Sequence, residues 1–187
     1  YYSIPASNKT AAGGKWVKGP DRAFINAMHE TLGEGGIIAE DLGYLTPEVK
    51  AMLAASGYPG MKIMQFAFDS RESGNYLPYT YTRNSVVYTA SPEDVAYACR
   101  YLRGAPEDLT EAMICACLSS VSDMAIIPLA DWLHLGEDAR INTPSTSGSN
   151  WQWRLTKPLS IDLSRHIAAL TVLYDRAPAA AAEVPST

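Results

Sequence analysis

Two carboxylates stand side by side at the end of an apolar run, Ile37-Ile38-Ala39-Glu40-Asp41-Leu42-Gly43. Glu40 falls at the carboxyl end of a predicted strand, where barrel enzymes place their catalytic groups. A carboxyl at the mouth of an apolar strand suits a general acid, because partial desolvation favours the protonated form. The same residue can instead pair with a base or cap the next turn. Other groups with chemistry are sparse. His29, His134 and His166 lie too far apart for metal-ligand spacing. Cys115 and Cys117 diverge on a predicted helix, and no Cys-x-x-Cys pair occurs, so all 3 cysteines read as reduced, apolar fillers of a cytoplasmic protein. Gly13-Gly14-Lys15-Trp16 lacks the pattern of a phosphate loop, and there is no Gly-x-Ser-x-Gly elbow.

The elements that must position these carboxylates alternate between strand and helix. Four apolar runs read as strands, Gly36–Ala39, Met61–Phe68, Ser85–Thr89 and Met124–Leu129; three are apolar nearly throughout, as strands covered on both faces are. Helices are predicted from Pro20 to about Leu32 with Gly33 as the stop, and from a Thr46-Pro47-Glu48 cap to Gly57. Another opens at Ser91-Pro92-Glu93-Asp94 and ends at Gly104, and a more apolar one runs from Pro106 through Cys117 towards Val121. A last helix is expected over Asp162 to Arg176, followed by a flexible Ala/Pro-rich tail, residues 177–187. This alternation implies βαβ units and a parallel sheet. Four strands make half of a (β/α)8 barrel or a small open sheet, and the pattern alone leaves both open.

Two polar loops are long enough to bind something, or to be plain surface: Asp69 to Asn84, with Tyr76, Tyr79 and Tyr81, and Asn142 to Trp153. Trp16, Trp132, Trp151 and Trp153 offer flat apolar faces that suit sugar rings, although Trp132, beside Leu133, fits a core position better. By contrast, only Ala90 separates the third strand from its helix cap, too little for an ordinary βα connection. A loop that vanishes on the side where barrels build their sites looks like a missing stretch.

The 187 residues hold one domain of ordinary size, and 47% hydrophobic with 19% charged residues is a globular composition. A net charge of −5 argues against a nucleic-acid or anionic-membrane partner and fits a neutral substrate. No apolar run is long enough for a transmembrane helix, and Tyr1-Tyr2-Ser3-Ile4-Pro5 has no signal-peptide pattern. The absence of an initiator methionine suggests a piece of a longer chain.

Read in order, several stretches resemble the amylomaltases (4-α-glucanotransferases) of glycoside hydrolase family 77. They are Ile4-Pro5-Ala6, Gly14-Lys15-Trp16-Val17-Lys18-Gly19-Pro20, Ile38-Ala39-Glu40-Asp41-Leu42-Gly43, Thr46-Pro47-Glu48-Val49 and Gly57-Tyr58-Pro59-Gly60-Met61-Lys62. Gln65-Phe66-Ala67-Phe68, Tyr76-Leu77-Pro78, Val86-Val87-Tyr88-Thr89, Ala139-Arg140-Ile141-Asn142-Thr143-Pro144 and Asn150-Trp151-Gln152-Trp153-Arg154 continue the series.

The resemblance implies an α/β fold, the carboxyl-terminal part (about four βα units) of a (β/α)8 TIM barrel, over residues 1–176. It implies transfer of α-1,4-glucan segments between maltooligosaccharides by a retaining double displacement, with two carboxyls about 5–5.5 Å apart. Glu40 matches the family's acid/base. Asp41, Phe66, Asn142 and Trp151 match substrate-binding positions, the loop from Asn142 to Trp151 being similar to the one over the acceptor sugars. No metal and no organic cofactor is expected, since carboxylates supply this chemistry. The family's nucleophile motif lies before the residues matching Tyr2-Ser3-Ile4-Pro5, and its third carboxylate should follow Tyr88-Thr89, where Ala90-Ser91-Pro92 stands instead. The latter is the place where the loop is too short. Ala130 before Asp131 and Ser145 after Pro144 also depart from the family pattern. Two alternatives remain: a non-catalytic carbohydrate-binding remnant, or a structural fragment. Half a parallel barrel has two unpaired edges, through which a true fragment is expected to self-associate.

Overall fold

The computed structural model describes residues 1–43, 45–68, 76–88, 95–103, 106–143, 146–148 and 150–178. The expected cap at Ser91–Asp94, the Thr89-Ala90-Ser91 junction, Gly104, Ser145, residues 69–75 of the loop after Phe68 and residues 179–187 of the tail lie outside these. The chain divides into two compact units, Tyr1–Gly60 and Met61–Thr187.

In the first unit, β1 (Tyr2–Ser3) and β2 (Lys15–Trp16) pair antiparallel, with Tyr2 opposite Trp16. The two rings meet edge to face at 5.5 Å. Two helices follow, α1 (Arg22–Leu32) and α2 (Pro47–Ser56). Both end as their sequence dictates. Gly33, at φ 80°, turns α1 off while its N–H donates to the His29 carbonyl. Gly57, at φ 71°, takes the left-handed position after α2, which side chains disfavour. Thr46 Oγ1 accepts the Val49 N–H at 3.4 Å, and Pro47 opens the helix, where a missing N–H costs nothing. The expected strand Gly36–Ala39 shrinks to a single parallel bridge, Ala39 to Gly60. Gly35 and Gly36, at φ 114° and 72°, leave the extended region and stop it from lengthening.

In the second unit, a three-stranded sheet takes the order β3 (Gly60–Ile63), β4 (Ser85–Tyr88), β5 (Met124–Ile126). β4 and β5 run parallel, with Val86 opposite Met124 and Tyr88 opposite Ile126. Between them come α3 (Val95–Leu102), a 3₁₀ turn at Pro106–Asp108, and α4 (Leu109–Leu118). This is a βαβ crossover, as a parallel pair requires. Val86, Val87, Ile114 and Cys117 are fully buried and form its core. The Cys117 Sγ lies 3.8 Å from the Val87 carbonyl oxygen. Burial pushes that thiol up to about 12, against the pull of Arg176 in the opposite direction.

Two apolar runs are shorter as strands than their composition suggested. After Ile63 the chain coils into a 3₁₀ helix, Met64–Phe68, that buries Met64, Ala67 and Phe68. An apolar run with that spacing satisfies a buried turn as well as a buried strand. β5 ends at Ile126, and a short helix, α5 (Leu129–Trp132), starts after Pro128, which has no N–H to offer a sheet. The last helix, α6 (Ile161–Leu173), opens on a Ser160 cap that accepts the Leu163 N–H at 3.1 Å. It stops before the expected Arg176. Asp175 turns left-handed at φ 54°, and the N–H groups of Asp175 and Arg176 donate back to the carbonyls of Val172 and Thr171. Arg176 is thereby freed to work as a side chain. Its guanidinium donates to the carbonyls of Leu118 (2.5 Å), Ser120 (2.9 Å) and Ser122 (3.1 Å) in the turn from α4 to β5.

Candidate active site

In the first unit, Ala39 is held from both sides of its peptide. Its N–H donates to the Pro59 carbonyl at 2.9 Å, and its bridge partner is Gly60. Glu40 follows directly and is exposed, whereas Asp41 is half-buried. The Asp41 carboxylate lies against the bare face of Gly60: a Cβ there would stand 2.6 Å from Oδ2 and 2.9 Å from Cγ. Gly60 is therefore the floor on which the second carboxylate rests. Its role escaped the sequence reading, because only the bridge with Ala39 brings it under Asp41.

In the second unit, Phe66 was expected at the end of a strand. It sits instead within the 3₁₀ turn, half-buried and edge-on to Tyr76 at 5.4 Å. Lys62 Nζ lies 5.7 Å from the centre of the Tyr76 ring. Of the three loop tyrosines, Tyr76 and Tyr81 are buried and only Tyr79 faces solvent, at 74% exposure. Burial raises the Tyr81 phenol above its ordinary range. Trp132 is half-buried and edge-on to His166, closer to the core role its neighbours suggested. His166 Nε2 in turn lies 2.9 Å from Glu111 Oε1, which joins α6 to α4.

Asn142 and Trp151 are brought together as the two ends of one loop. The Trp151 N–H donates to the Ile141 carbonyl at 2.6 Å and closes it. Arg140 Nε donates to the Asn142 carbonyl at 2.9 Å. Asn150, not singled out as a site residue from the sequence, is half-buried and bridges Thr143 and Thr146. Its Oδ1 accepts the Thr143 N–H at 2.9 Å, and its Nδ2 donates to the Thr146 carbonyl at 3.0 Å and Thr146 Oγ1 at 3.2 Å. Arg154 Nη1 donates to the carbonyls of Trp151 (2.9 Å) and Trp153 (2.7 Å). Trp151 is left with φ 66° and an exposed ring. Among the described residues, no cluster of His, Cys, Asp and Glu is arranged to hold a metal ion. Among the same described residues, no helix is long and apolar enough to cross a membrane.

Known proteins resemble the chain along most of its length. The profile of the 4-alpha-glucanotransferase family matches residues 1–160. The chain is 41% identical to the 4-alpha-glucanotransferase of Streptococcus pneumoniae over 193 residues, covering 94% of this chain and 38% of that protein. It is 36% identical to the chloroplastic/amyloplastic 4-alpha-glucanotransferase of Arabidopsis thaliana, over 87% of this chain and 31% of the relative. In three dimensions it is similar to an amylomaltase from Streptococcus agalactiae in complex with acarbose, with a TM-score of 0.83 and 33% identity over 95% of this chain and 39% of the other. The chain belongs to the 4-alpha-glucanotransferase family. It spans a little over a third of the length of the Streptococcus pneumoniae relative, 38%.

Proposed function

We propose that this chain is the carboxyl-terminal part of the catalytic (β/α)8 barrel of a cytoplasmic 4-α-glucanotransferase, and that the parent protein transfers α-1,4-glucan segments between maltooligosaccharides. Glu40 is the acid/base. It protonates the departing glycosidic oxygen, then takes the proton of the incoming 4-hydroxyl as the sugar is passed on. The nucleophile and a third carboxylate come from the rest of the parent. Asp41 and Phe66 bind the sugars of the donor groove, and Asn142 and Trp151 those of the acceptor.

The observation that carries this reading is the match of residues 1–160 to the family, a stretch that contains Glu40 just after the bridge between Ala39 and Gly60. A second observation bears on the short junction at Thr89-Ala90-Ser91. The alignment with the Streptococcus pneumoniae relative runs over 193 residues, more than the 187 of this chain, so that relative holds residues with no counterpart here. In this reading those residues include a segment that carries the third carboxylate, next to the strand that ends near Tyr88.

The test is glucose release from maltotriose by the parent protein. Glu40→Gln keeps the shape of the side chain and removes its acid/base capacity, so release should fall by about 10²-fold or more with the melting temperature unchanged. Full activity in Glu40→Gln would remove Glu40 from the mechanism.

A further inference from the structure

The exposed ring of Trp151 sits on a backbone that a bulky residue avoids. Its φ of 66° lies in the left-handed region, where a side chain other than Gly, Asn or Asp is an outlier. Such a conformation persists only where the surroundings over-determine it. Here they do, from three directions. The Trp151 N–H is taken by Ile141, and its carbonyl by the Arg154 guanidinium. The preceding residue, Asn150, is tied across the loop by its carboxamide, which acts as donor and acceptor at once. A longer contact of 3.5 Å from Nδ2 to the Thr143 carbonyl completes that set, and Thr146 Oγ1 itself donates to the same carbonyl at 2.7 Å. The result is a tryptophan that is 67% exposed on a backbone fixed at both its N–H and its carbonyl.

We propose that Asn150 is a positioning residue: its carboxamide ties Thr143 and Thr146 to the residue before Trp151, and Arg154 holds the Trp151 carbonyl, so that the Trp151 indole is presented as a preformed stacking face for a glucosyl ring of the acceptor. The inference rests on the glucanotransferase reading of the loop and adds to it the residue that sets its shape. Asn150 does not touch the sugar. It acts by removing the disorder that Trp151 would otherwise lose on binding, so its loss weakens acceptor binding and leaves the chemical step intact.

The experiment uses the full-length parent with Asn150→Ala and Asn150→Asp. The second keeps the size and the acceptor for Thr143 N–H but sets a carboxylate against the Thr146 carbonyl. With maltotriose as donor and radiolabelled glucose as acceptor, read as label entering maltotriose, both variants should raise the acceptor KM about tenfold with kcat nearly unchanged. Acrylamide quenching of the tryptophan emission that Trp151→Phe removes should increase in both, and maltohexaose should protect it less than in the unsubstituted protein. An unchanged acceptor KM, or kcat and melting temperature falling together with no change in KM, overturns the proposal. If the unsubstituted parent transfers no glucan, the glucanotransferase reading fails. The maltohexaose protection of Trp151, with and without Asn150, then decides this inference alone.

Discussion

Gly60→Ala is the sharpest test of how the first unit sets its carboxylates. Gly60 is not among the glycines at positive φ, so alanine fits its backbone and the effect is one of space alone. The added Cβ would stand 2.6 Å from Asp41 Oδ2 and 2.9 Å from both Cγ and Oδ1. Ordinary contact begins at 3.4 Å, so the carboxylate must retreat by about 0.8 Å, or the bridge between Ala39 and Gly60 must open. The first response displaces the Asp41 carboxylate, a proposed sugar-binding group, and the second shifts Glu40, which follows Ala39 directly. A displacement of about 1 Å in a catalytic constellation costs roughly 10²-fold in rate, whereas overpacking by one methyl costs about 1–3 kcal/mol of stability. Gly60→Ala in the parent should therefore cut kcat/KM for maltotriose by about 10²-fold while the protein still folds, as read by its melting curve. Asp41→Ala removes the atoms that collide. In that background Gly60→Ala should cost little further, in residual activity and in melting temperature alike, which makes the pair a double-mutant cycle. A loss of less than about twofold in the unsubstituted background, or an equal loss in both, would refute the reasoning.

Two further outcomes follow from the second unit. Arg176→Met removes the donors for the carbonyls of Leu118, Ser120 and Ser122 while keeping most of the side chain's bulk; it should lower stability by about 2 kcal/mol in denaturant unfolding without altering acceptor KM. Cys117, with its thiol raised to about 12, should resist iodoacetamide at pH 8.5 while the half-buried Cys99 and Cys115 react, as read by peptide mass. Between an ordinary thiol value and about 12, the unfolded chain releases that proton and the folded one keeps it. This group therefore subtracts stability as pH rises through that window, and Cys117→Ala should flatten the alkaline side of the stability curve.

The features legible in the sequence are those that local chemistry decides. Thr46-Pro47 and Gly57 bracket α2 because a cap, a missing N–H and a left-handed turn each have few candidate residues. The parallel pairing of β4 and β5 was legible from the apolar runs and the helices between them. Where an apolar run continued past its strand, as in Met64–Phe68 and from Ile127 to Leu129, hydrophobicity alone could not say whether the chain went on as strand or turned. The end of α6 was misjudged for a different reason. Asp175 supplies the left-handed turn without a glycine, so nothing in the run up to Arg176 marks the stop.

The candidate site divides along the same line. Glu40 and Asp41 are visible because a pair of acids closing an apolar run is rare, and the family motif surrounds them. Gly60 and Asn150 are not, because each matters only through a contact that the fold creates. Gly60 matters for a Cβ it lacks, beneath a carboxylate remote in sequence. Asn150 is an ordinary loop residue until its carboxamide is seen spanning Thr143 and Thr146. Both act on a residue that the motif did name, Asp41 in one case and Trp151 in the other. A motif therefore names the groups proposed to meet the substrate, while the residues that hold those groups still have to be read from packing and hydrogen bonds. Substituting the supports while leaving the named residues intact separates the two contributions, which substitution of Glu40 or Trp151 alone cannot do.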